Sequence, residues 1–435
     1  MPSYYRNERK DKLTISIIMI VTFIVLFLGG SSVINYIKDT KAKAAEGIFE
    51  ICSYDYKTTL STVKADDYAN AFEIKDYLYY GETLNLFQDT YDINQKDGIV
   101  GRTLILTNLC TGSEMVYLID GKIDGQIPVE SLEDGFYSVK IVYDLTQRRA
   151  YSTEKIYDVF YTVRRNGYSK EVTLIADKNL FSNDDNQEVM DQNYLFIQVK
   201  TVDDVPDDVY DVVIDPGHSS YDTSTYAEYG GKANGLTEAA ETYKVALAIK
   251  EKLESYGLKV LITRNDSSEV VNTYGENGRL ARAYASNAKY YLDLQMGVAS
   301  STSISGTQII YSSFTSSKMA SAILTYLLDN TDLVSTANKG SGKLAGVLAS
   351  GVINNYDGRM VIRESGGRIL AAGTFSDKAR EENASFALNE RNGMQTFTIE
   401  YIYITNPEEA EKWVKNYQEY GEKTAEALAS YLKIE

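Results

Sequence analysis

Residues 212–218, which read V-V-I-D-P-G-H, decide the fold of the second half of this 435-residue chain. The apolar, β-branched run predicts a buried strand, and the D-P-G turn ends it. His218 follows at once, and it is the only histidine in the chain. Because α/β sheets bind ligands at the carboxyl ends of their strands, we expect the imidazole ring to lie at the edge of the sheet where a ligand binds. A site that needs two histidines cannot be built from this chain.

Downstream of this stretch, predicted strands alternate with predicted helices to the end of the chain. This alternation predicts an α/β domain over residues 209–435, with a mostly parallel twisted sheet and helices on both faces. The predicted strands are 211–215, 259–263, 290–294, 306–311 and 396–403, and the predicted helices are 237–256, 279–288, 317–328 and 407–432.

Upstream, residues 46–200 alternate apolar and polar side chains in short runs separated by turn residues, as in 103–107 and 137–142. This pattern predicts an all-β, sandwich-like domain. Residues 182–211 are rich in Asp and Asn and are interpreted as a connecting segment with one strand, 194–199. No catalytic motif is visible here. The role of this domain therefore has three equal hypotheses: a spacer, a regulator or a surface for a cell-envelope protein partner.

The amino terminus predicts a membrane anchor. Residues 13–34 contain no charged side chain, and about 20 such residues span a bilayer. Basic residues precede them, so residues 1–12 are expected in the cytoplasm and the bulk of the chain outside it. A cleaved signal peptide is the alternative interpretation. The basic residues are Arg6, Arg9, Lys10 and Lys12.

Charge and cysteine content narrow the classes of function. A net charge of −17 argues against binding nucleic acid or anionic polymers, which require clustered Lys and Arg. The chain has only two cysteines, Cys52 and Cys110. An extracytoplasmic location would permit a bridge between them, and two unpaired buried thiols is the alternative.

Two glutamates accompany His218 as candidate site residues. Glu238 comes 20 residues later, in the first turn of the next predicted helix, and Glu400 lies inside an apolar strand. A carboxylate within an apolar strand is costly to bury unless it binds or titrates. Taken singly, His218 could complete a turn and Glu238 could interact with the helix dipole.

The order of these segments resembles the zinc-dependent N-acetylmuramoyl-L-alanine amidases that act on cell-wall peptidoglycan. The resemblance covers residues 209–434, about half of the chain. It rests on I-D-P-G-H (214–218), G-L-T-E (235–238), V-L-I-T-R (260–264), Arg279 ahead of Ala288, and Glu400 ahead of Y-I-T-N-P (403–407).

The resemblance implies a role for each matched residue. His218 and Glu238 would be the first and second zinc ligands, and Glu400 the catalytic carboxylate. The family's third ligand is a second histidine, and Gln295 stands at that position here. A carboxamide oxygen is a much poorer zinc donor than an imidazole nitrogen. The expected supporting residues are Asp222, Asp293 and Arg279.

Two functions follow as hypotheses. If zinc is held, the chain would hydrolyse the amide between the lactyl group of muramic acid and L-alanine. If Gln295 abolishes zinc binding, the chain would be a pseudoenzyme that binds wall peptide or a cell-envelope partner as a regulator or scaffold. Peptidoglycan or its fragments are the expected ligand, and a cell-envelope protein is the alternative partner of the pseudoenzyme.

Overall fold

The computed structural model describes residues 71–180, 190–219, 230–273, 277–338, 344–352, 360, 362–368 and 391–434. All of them fall within one compact unit, Cys52–Glu435. The predicted cytoplasmic tail and membrane anchor, together with Cys52 and Asp222, lie outside the described residues. Within the described ranges, no helix is long and apolar enough to cross a membrane.

The first half of the described chain is built from strands. They are β1 (Phe72–Glu73), β2 (Asp76–Tyr80), β3 (Thr83–Phe87), β4 (Thr103–Asn108), β5 (Glu114–Leu118), β6 (Ile127–Pro128), β7 (Gly135–Tyr143), β8 (Thr146–Ser152), β9 (Ile156–Tyr161), β10 (Ser169–Ala176) and β11 (Asn193–Val202), with a 3₁₀ turn at Val129–Ser131.

Seven of these strands form the path β5-β4-β7-β8-β11-β10-β9, with β1 added beside β8. A second sheet contains β6, β3 and β2. The inward side chains of both sheets share one hydrophobic core, as the alternating pattern predicts for a β domain. The strand predicted at 194–199 is longer and lies between β8 and β10, because its apolar residues fill that core. Cys110, after β4, is disulfide-bonded.

The second half alternates strands and helices. Its strands are β12 (Val212–Pro216), β13 (Lys232–Ala233), β14 (Leu236–Thr237), β15 (Val260–Ile262), β16 (Tyr290–Gly297), β17 (Gln308–Tyr311), β18 (Val347–Ala349), β19 (Asn392–Gly393) and β20 (Gln395–Tyr403). Its helices are α1 (Glu238–Ser255), α2 (Arg279–Tyr284), α3 (Lys318–Asn330) and α4 (Pro407–Tyr431), with a 3₁₀ turn at Ser350–Val352.

Six strands form the central sheet, in the order β15-β12-β16-β20-β17-β18. All neighbours are parallel except β17 and β20. Val212 and Ile214 belong to the core that also contains residues of α1, α3 and α4. Val213 faces the other side, in a smaller core with residues of α2. The predicted α/β fold with helices on both faces is therefore confirmed for the described residues.

The two halves share backbone pairing. Strand β19, from the second half, pairs in parallel with β2 and completes the order β19-β2-β3-β6. Glu82, in the turn between β2 and β3, accepts hydrogen bonds from Arg165 (2.7 Å) and from the Tyr290 hydroxyl on β16 (3.1 Å). The β domain is thus bonded directly to the central sheet.

Candidate functional site

His218 lies just beyond the carboxyl end of β12, where the sequence predicts it. Its φ angle is 63°, a left-handed conformation that few residues other than glycine adopt, although histidine is among those enriched there. The preceding turn is held by the Gly217 amide, which donates to the Leu294 carbonyl of β16 (2.8 Å). The imidazole side chain remains 29% exposed and is therefore accessible from solvent.

Glu238 begins α1 and is buried beside His218. Its Oε2 lies 3.4 Å from His218 Nε2. Backbone amides hold both carboxylate oxygens, since Gly231 donates to Oε2 (2.7 Å) and Met296 donates to Oε1 (2.8 Å). Two zinc ligands at about 2.0–2.1 Å and at a tetrahedral angle would be separated by about 3.3 Å. The spacing of this pair therefore suits two ligands of one metal ion.

Gly230 closes over this pair. Its φ is 74°, and a Cβ at this position would lie 2.5 Å from Glu238 Oε2 and 2.6 Å from His218 Cδ2. Only glycine lets the backbone pass this close to both side chains. The sequence analysis missed this residue, although the adjacent Gly230-Gly231 pair is a visible signal of a close backbone approach.

Three polar side chains lie in one row across the sheet. Gln295 on β16 pairs with Glu400 on β20, and Glu400 pairs with Gln308 on β17. Paired residues of neighbouring strands share a face, so these side chains are neighbours. Gln308 Nε2 donates to Glu400 Oε2 (2.5 Å). Glu400, the expected catalytic carboxylate, therefore already accepts a hydrogen bond from Gln308, a residue that the sequence analysis did not identify.

Strand β20 carries one extra residue directly after Glu400. The pairing moves from Gln295–Glu400 to Gly297–Tyr403, which is a β-bulge. The Tyr403 ring then passes against Gly297, where a Cβ would lie 2.7 Å from Cδ1. The bulge ends the regular ladder at the row that contains Glu400.

Gln295 is bound by Asp293, two residues earlier on the same face of β16. The Nε2 atom of Gln295 donates to Asp293 Oδ1 (2.7 Å), and Thr398 Oγ1 donates to Asp293 Oδ2 (2.9 Å). Arg363 also contacts Oδ2 at 3.4 Å. Asp293 is 1% exposed and Gln295 7%. The carboxamide orientation is therefore set by a buried carboxylate.

Asp215 is the centre of a buried network of charged and polar side chains near the row of Gln295, Glu400 and Gln308. It accepts hydrogen bonds from Arg279 (2.7 Å), Thr263 (2.5 Å) and Tyr291 (2.6 Å), and it is fully buried. Burial alone would raise the pKa of Asp215, but the guanidinium groups of Arg279 and Arg363 and these hydrogen bonds lower it overall. The network thus keeps a buried aspartate ionised three residues before His218.

The donor set does not fit a catalytic zinc ion. Such an ion takes three protein ligands and keeps one open position. His218 and Glu238 provide two, and the third expected position holds Gln295, whose carboxamide oxygen is a poor zinc donor. Within the described ranges, no group of three His, Cys, Asp or Glu side chains could hold a metal ion.

The structure places the predicted residues in two groups. His218 and Glu238 are in contact, and Gln295 and Glu400 are paired neighbours, with Asp293 and Arg279 behind them. The sequence analysis missed Asp215, although a charged residue inside the strand 212–216 is a visible signal. It also missed Arg363 and Thr398, which no local motif marks.

Comparison with known proteins shows similarity over the second half of the chain. The profile of the N-acetylmuramoyl-L-alanine amidase family matches residues 212–432, just over half of the chain. No curated protein matches it.

Solved structures similar to the chain include the amidase AmiC2 of Nostoc punctiforme, 18% identical over 53% of this chain and 99% of that one, with a TM-score of 0.36. The catalytic domain of the amidase CwlV from Bacillus (Paenibacillus) polymyxa var. colistinus is 17% identical over 52% and 100%, with a TM-score of 0.35. The amidase CwlD from Clostridioides difficile, in complex with the GerS lipoprotein, is 17% identical over 52% and 100%, with a TM-score of 0.33.

Proposed function

The chain belongs to the N-acetylmuramoyl-L-alanine amidase family, and from this membership we propose that it is a pseudoenzyme that binds peptidoglycan peptide without hydrolysing it. In this proposal the family's site survives as a binding site, and zinc binding has been lost. The protein then serves as a regulator or scaffold at the cell wall.

The presence of a glutamine, Gln295, at the position of the family's third ligand carries this proposal. Glutamine keeps the position neutral, as histidine would, but its donor atom for a metal is a weak carboxamide oxygen. Its Nε2 is held at 2.7 Å by a buried carboxylate that Arg363 and Thr398 also contact. This hydrogen bond leaves the weakly donating carboxamide oxygen as the only atom of the side chain that could bind a metal.

The remaining groups suit peptide recognition. Peptide stems present backbone amides, which need both hydrogen-bond donors and acceptors. The imidazole of His218 is partly exposed, and Glu400 is half-buried at the same end of the sheet. These groups can bind an amide without any chemical step.

We also propose an extracytoplasmic location. The apolar residues 13–34 and the basic residues before them support an uncleaved anchor with the bulk of the chain outside the cell. The disulfide bond of Cys110 supports the same extracytoplasmic location, because disulfides persist in oxidising compartments. The β domain would then be available to a cell-envelope partner.

Zinc-dependent hydrolysis is the second candidate function. It is favoured by the 3.4 Å separation of His218 Nε2 and Glu238 Oε2, which suits two ligands of one ion. In that case the chain would cleave the amide between the muramic acid lactyl group and L-alanine, with a weakly held metal.

The two candidates are separated with the purified full-length protein, tested on peptidoglycan with added zinc. We expect co-sedimentation with peptidoglycan, no release of new amino termini and less than one equivalent of zinc by metal analysis. His218→Ala should weaken co-sedimentation, while Glu114→Gln, at an exposed position on β5, should leave it unchanged. Zinc-dependent release of amino termini by the parent protein would overturn the proposal, as would failure to bind peptidoglycan.

Gln295→His tests the lost ligand directly. An imidazole would restore the third ligand, with Asp293 placed to orient it, so zinc affinity should rise by about 10–100-fold or more. Gln308→His is the matched control, because it introduces the same side chain two strands away in the same row. Equal zinc binding by both variants would contradict the assignment of Gln295 to the ligand position.

A further inference from the structure

The hairpin between β7 and β8 ends in an exposed leucine. Asp144 and Leu145 form its two-residue turn, and both have positive φ angles, 46° and 63°. Such turns favour glycine at the second position, because a larger side chain is strained there. Leu145 is also 99% exposed, more than any other large apolar side chain in the described ranges. Because neither backbone conformation nor burial favours leucine here, the position indicates a contact with a partner.

A second exposed leucine lies at the same end of this sheet. Leu118, at the end of β5, is 67% exposed. It pairs with Thr103 of β4, which pairs in turn with Val142 of β7, close to the hairpin turn. Paired residues share a face, so these three side chains form one row across the sheet. This end of the β domain therefore presents two exposed leucines.

Two arginines stack on one tyrosine beside the turn. The Cζ atoms of Arg102 and Arg148 lie 3.9 Å and 4.2 Å from the centroid of the Tyr143 ring. Their Nε atoms donate to the Gly98 carbonyl (2.8 Å) and to the Thr146 hydroxyl (3.5 Å), respectively. Within the described residues, neither guanidinium group forms a salt bridge. The outer nitrogens of both groups can therefore bind an anion, which would relieve the repulsion between them.

Two further basic side chains oppose each other on the other face of the hairpin. Lys140 and Arg149 are directly paired in the register of β7 and β8. Like charges directly opposite across two strands are destabilising. Residues 140–149 and Arg102 thus carry four basic side chains and one carboxylate, that of Asp144, in a chain whose net charge is −17. This local excess of positive charge is complementary to an anionic surface.

The described chain enters the β domain at this same edge. Phe72 begins β1, and its ring lies 6.0 Å from the Tyr143 ring and 5.5 Å from Arg102 Cζ. In the location proposed above, the chain reaches this point from the membrane anchor, residues 13–34. A lipid bilayer is therefore the anionic surface that the anchor makes available to this edge.

We propose that this edge of the β domain binds the surface of an anionic lipid bilayer. Leu118 and Leu145 enter the headgroup region, as the apolar side chains of interfacial proteins do, and the basic side chains contact lipid phosphates. Salt screens charges separated by more than about 8 Å at physiological ionic strength, so distant acidic side chains do not cancel this local charge. The contact rests on the extracytoplasmic location proposed above and is independent of peptidoglycan binding.

Fluorescence quenching with the full-length protein in lipid vesicles tests this contact. Gln147→Cys, at an exposed position beside the turn, carries a fluorophore. A spin-labelled lipid should quench this label in vesicles of phosphatidylglycerol. In phosphatidylcholine the quenching should be at least about fivefold weaker, since each basic side chain near an anionic surface contributes roughly that factor. The same label on Glu154→Cys, exposed beyond the other end of β8, is the control and should stay unquenched in both lipids.

Variants of the labelled protein identify the side chains responsible. Leu145→Gly removes the apolar side chain and suits the positive φ, so it should reduce quenching while the thermal midpoint stays unchanged or rises. A purely structural leucine would not give this pair of results. Replacing Lys140 and Arg149 together by Gln should weaken quenching about tenfold or more. Tyr157→Ser, at a 70% exposed position on the outer strand β9, is the matched control and should not affect quenching.

Three results would overturn the proposal: equal quenching in the two lipids, equal quenching of the labels at Gln147→Cys and Glu154→Cys, or unchanged quenching in Leu145→Gly. A label that responds to poly-glutamate and not to phosphatidylglycerol would also overturn it, and would assign this edge to an acidic protein partner.

Discussion

Gln295 shows how one side chain can alter an inherited site while leaving its surroundings in place. Its Nε2 occupies the hydrogen bond to Asp293 that an imidazole N–H would make to such a carboxylate in a metal site. Thr398 and Arg363 still surround Asp293. Gln295 thus keeps the buried polar network satisfied, and under the proposed function it offers a metal only a weak carboxamide oxygen.

Asp215 should make a large contribution to stability. Asp215→Asn leaves the guanidinium group of Arg279 without its buried counter-charge, and breaking such a pair costs about 3–5 kcal/mol. We expect a loss of this size in the free energy of unfolding, measured by chemical denaturation. Glu114→Gln, at an exposed position, should change it by less than about 0.5 kcal/mol. A small effect of Asp215→Asn would show that Arg279 finds another partner.

Asp215 should also make the free energy of unfolding depend on pH. The pKa of Asp215 is lowered in the folded protein, so its ionised form stabilises the fold above the unfolded pKa of about 3.9. This contribution is lost as the pH falls through the folded pKa. The difference in unfolding free energy between the parent and Asp215→Asn should therefore be constant near neutral pH and shrink in acid. A difference that grows as the pH falls would contradict a lowered pKa of Asp215 in the folded protein.

At the scale of elements, the central strands set the geometry of the site. The β-bulge after Glu400 and the parallel register of β16 and β20 place Gln295 beside Glu400. The register follows from burial, because a shift by one residue would turn Asp293 and Gln295 toward the apolar core against α1 and α4. Helix α4 then returns directly from the end of β20 and covers that core.

The start of α4 depends on Asn406. Its side chain accepts hydrogen bonds from the amides of Glu408 and Glu409, and Pro407 follows at the first helical position. Asn406→Ala should lower the free energy of unfolding by about 1 kcal/mol, as measured by chemical denaturation. Asn406→Ser retains a capping oxygen and should recover most of this loss. Equal losses in both variants would assign the effect to the Asn406 bond with the Ile304 carbonyl instead.

At the scale of the whole molecule, the β domain and the central sheet are joined by buried polar bonds. Glu82 is 9% exposed and bonds to Arg165, to the Val163 amide and to Tyr290. Asp76 on β2 forms salt bridges with Arg368 and Arg391 of the second half. With β19 paired to β2, these bonds predict that the described halves unfold together.

Cooperative unfolding can be read from the single tryptophan. Trp413 is fully buried in α4, so its fluorescence reports the second half, while circular dichroism reports both halves. The two transitions should coincide, and Glu82→Ala should lower both midpoints through a loss of about 3–5 kcal/mol. Glu114→Ala is the exposed control. A tryptophan transition that Glu82→Ala leaves unchanged would show that the halves unfold independently.

The sequence alone predicted the main strands and helices of the second half, although not β13, β14, β18 or β19, and it identified the candidate residues His218, Glu238, Gln295 and Glu400. Each of these lies in a local pattern: an apolar strand before a turn, a helix start, or a polar residue inside an apolar run. Such patterns report burial and backbone conformation, which depend on neighbours in the chain. The parallel α/β sheet follows from the same alternation.

The contacts between those residues and other elements depend on the tertiary structure. The approach of Gln308 to Glu400 and the position of Arg363 beside Asp293 come from packing between separate elements. Contacts of this kind are set by how whole faces pack to bury apolar surface, and no local pattern of residues encodes them.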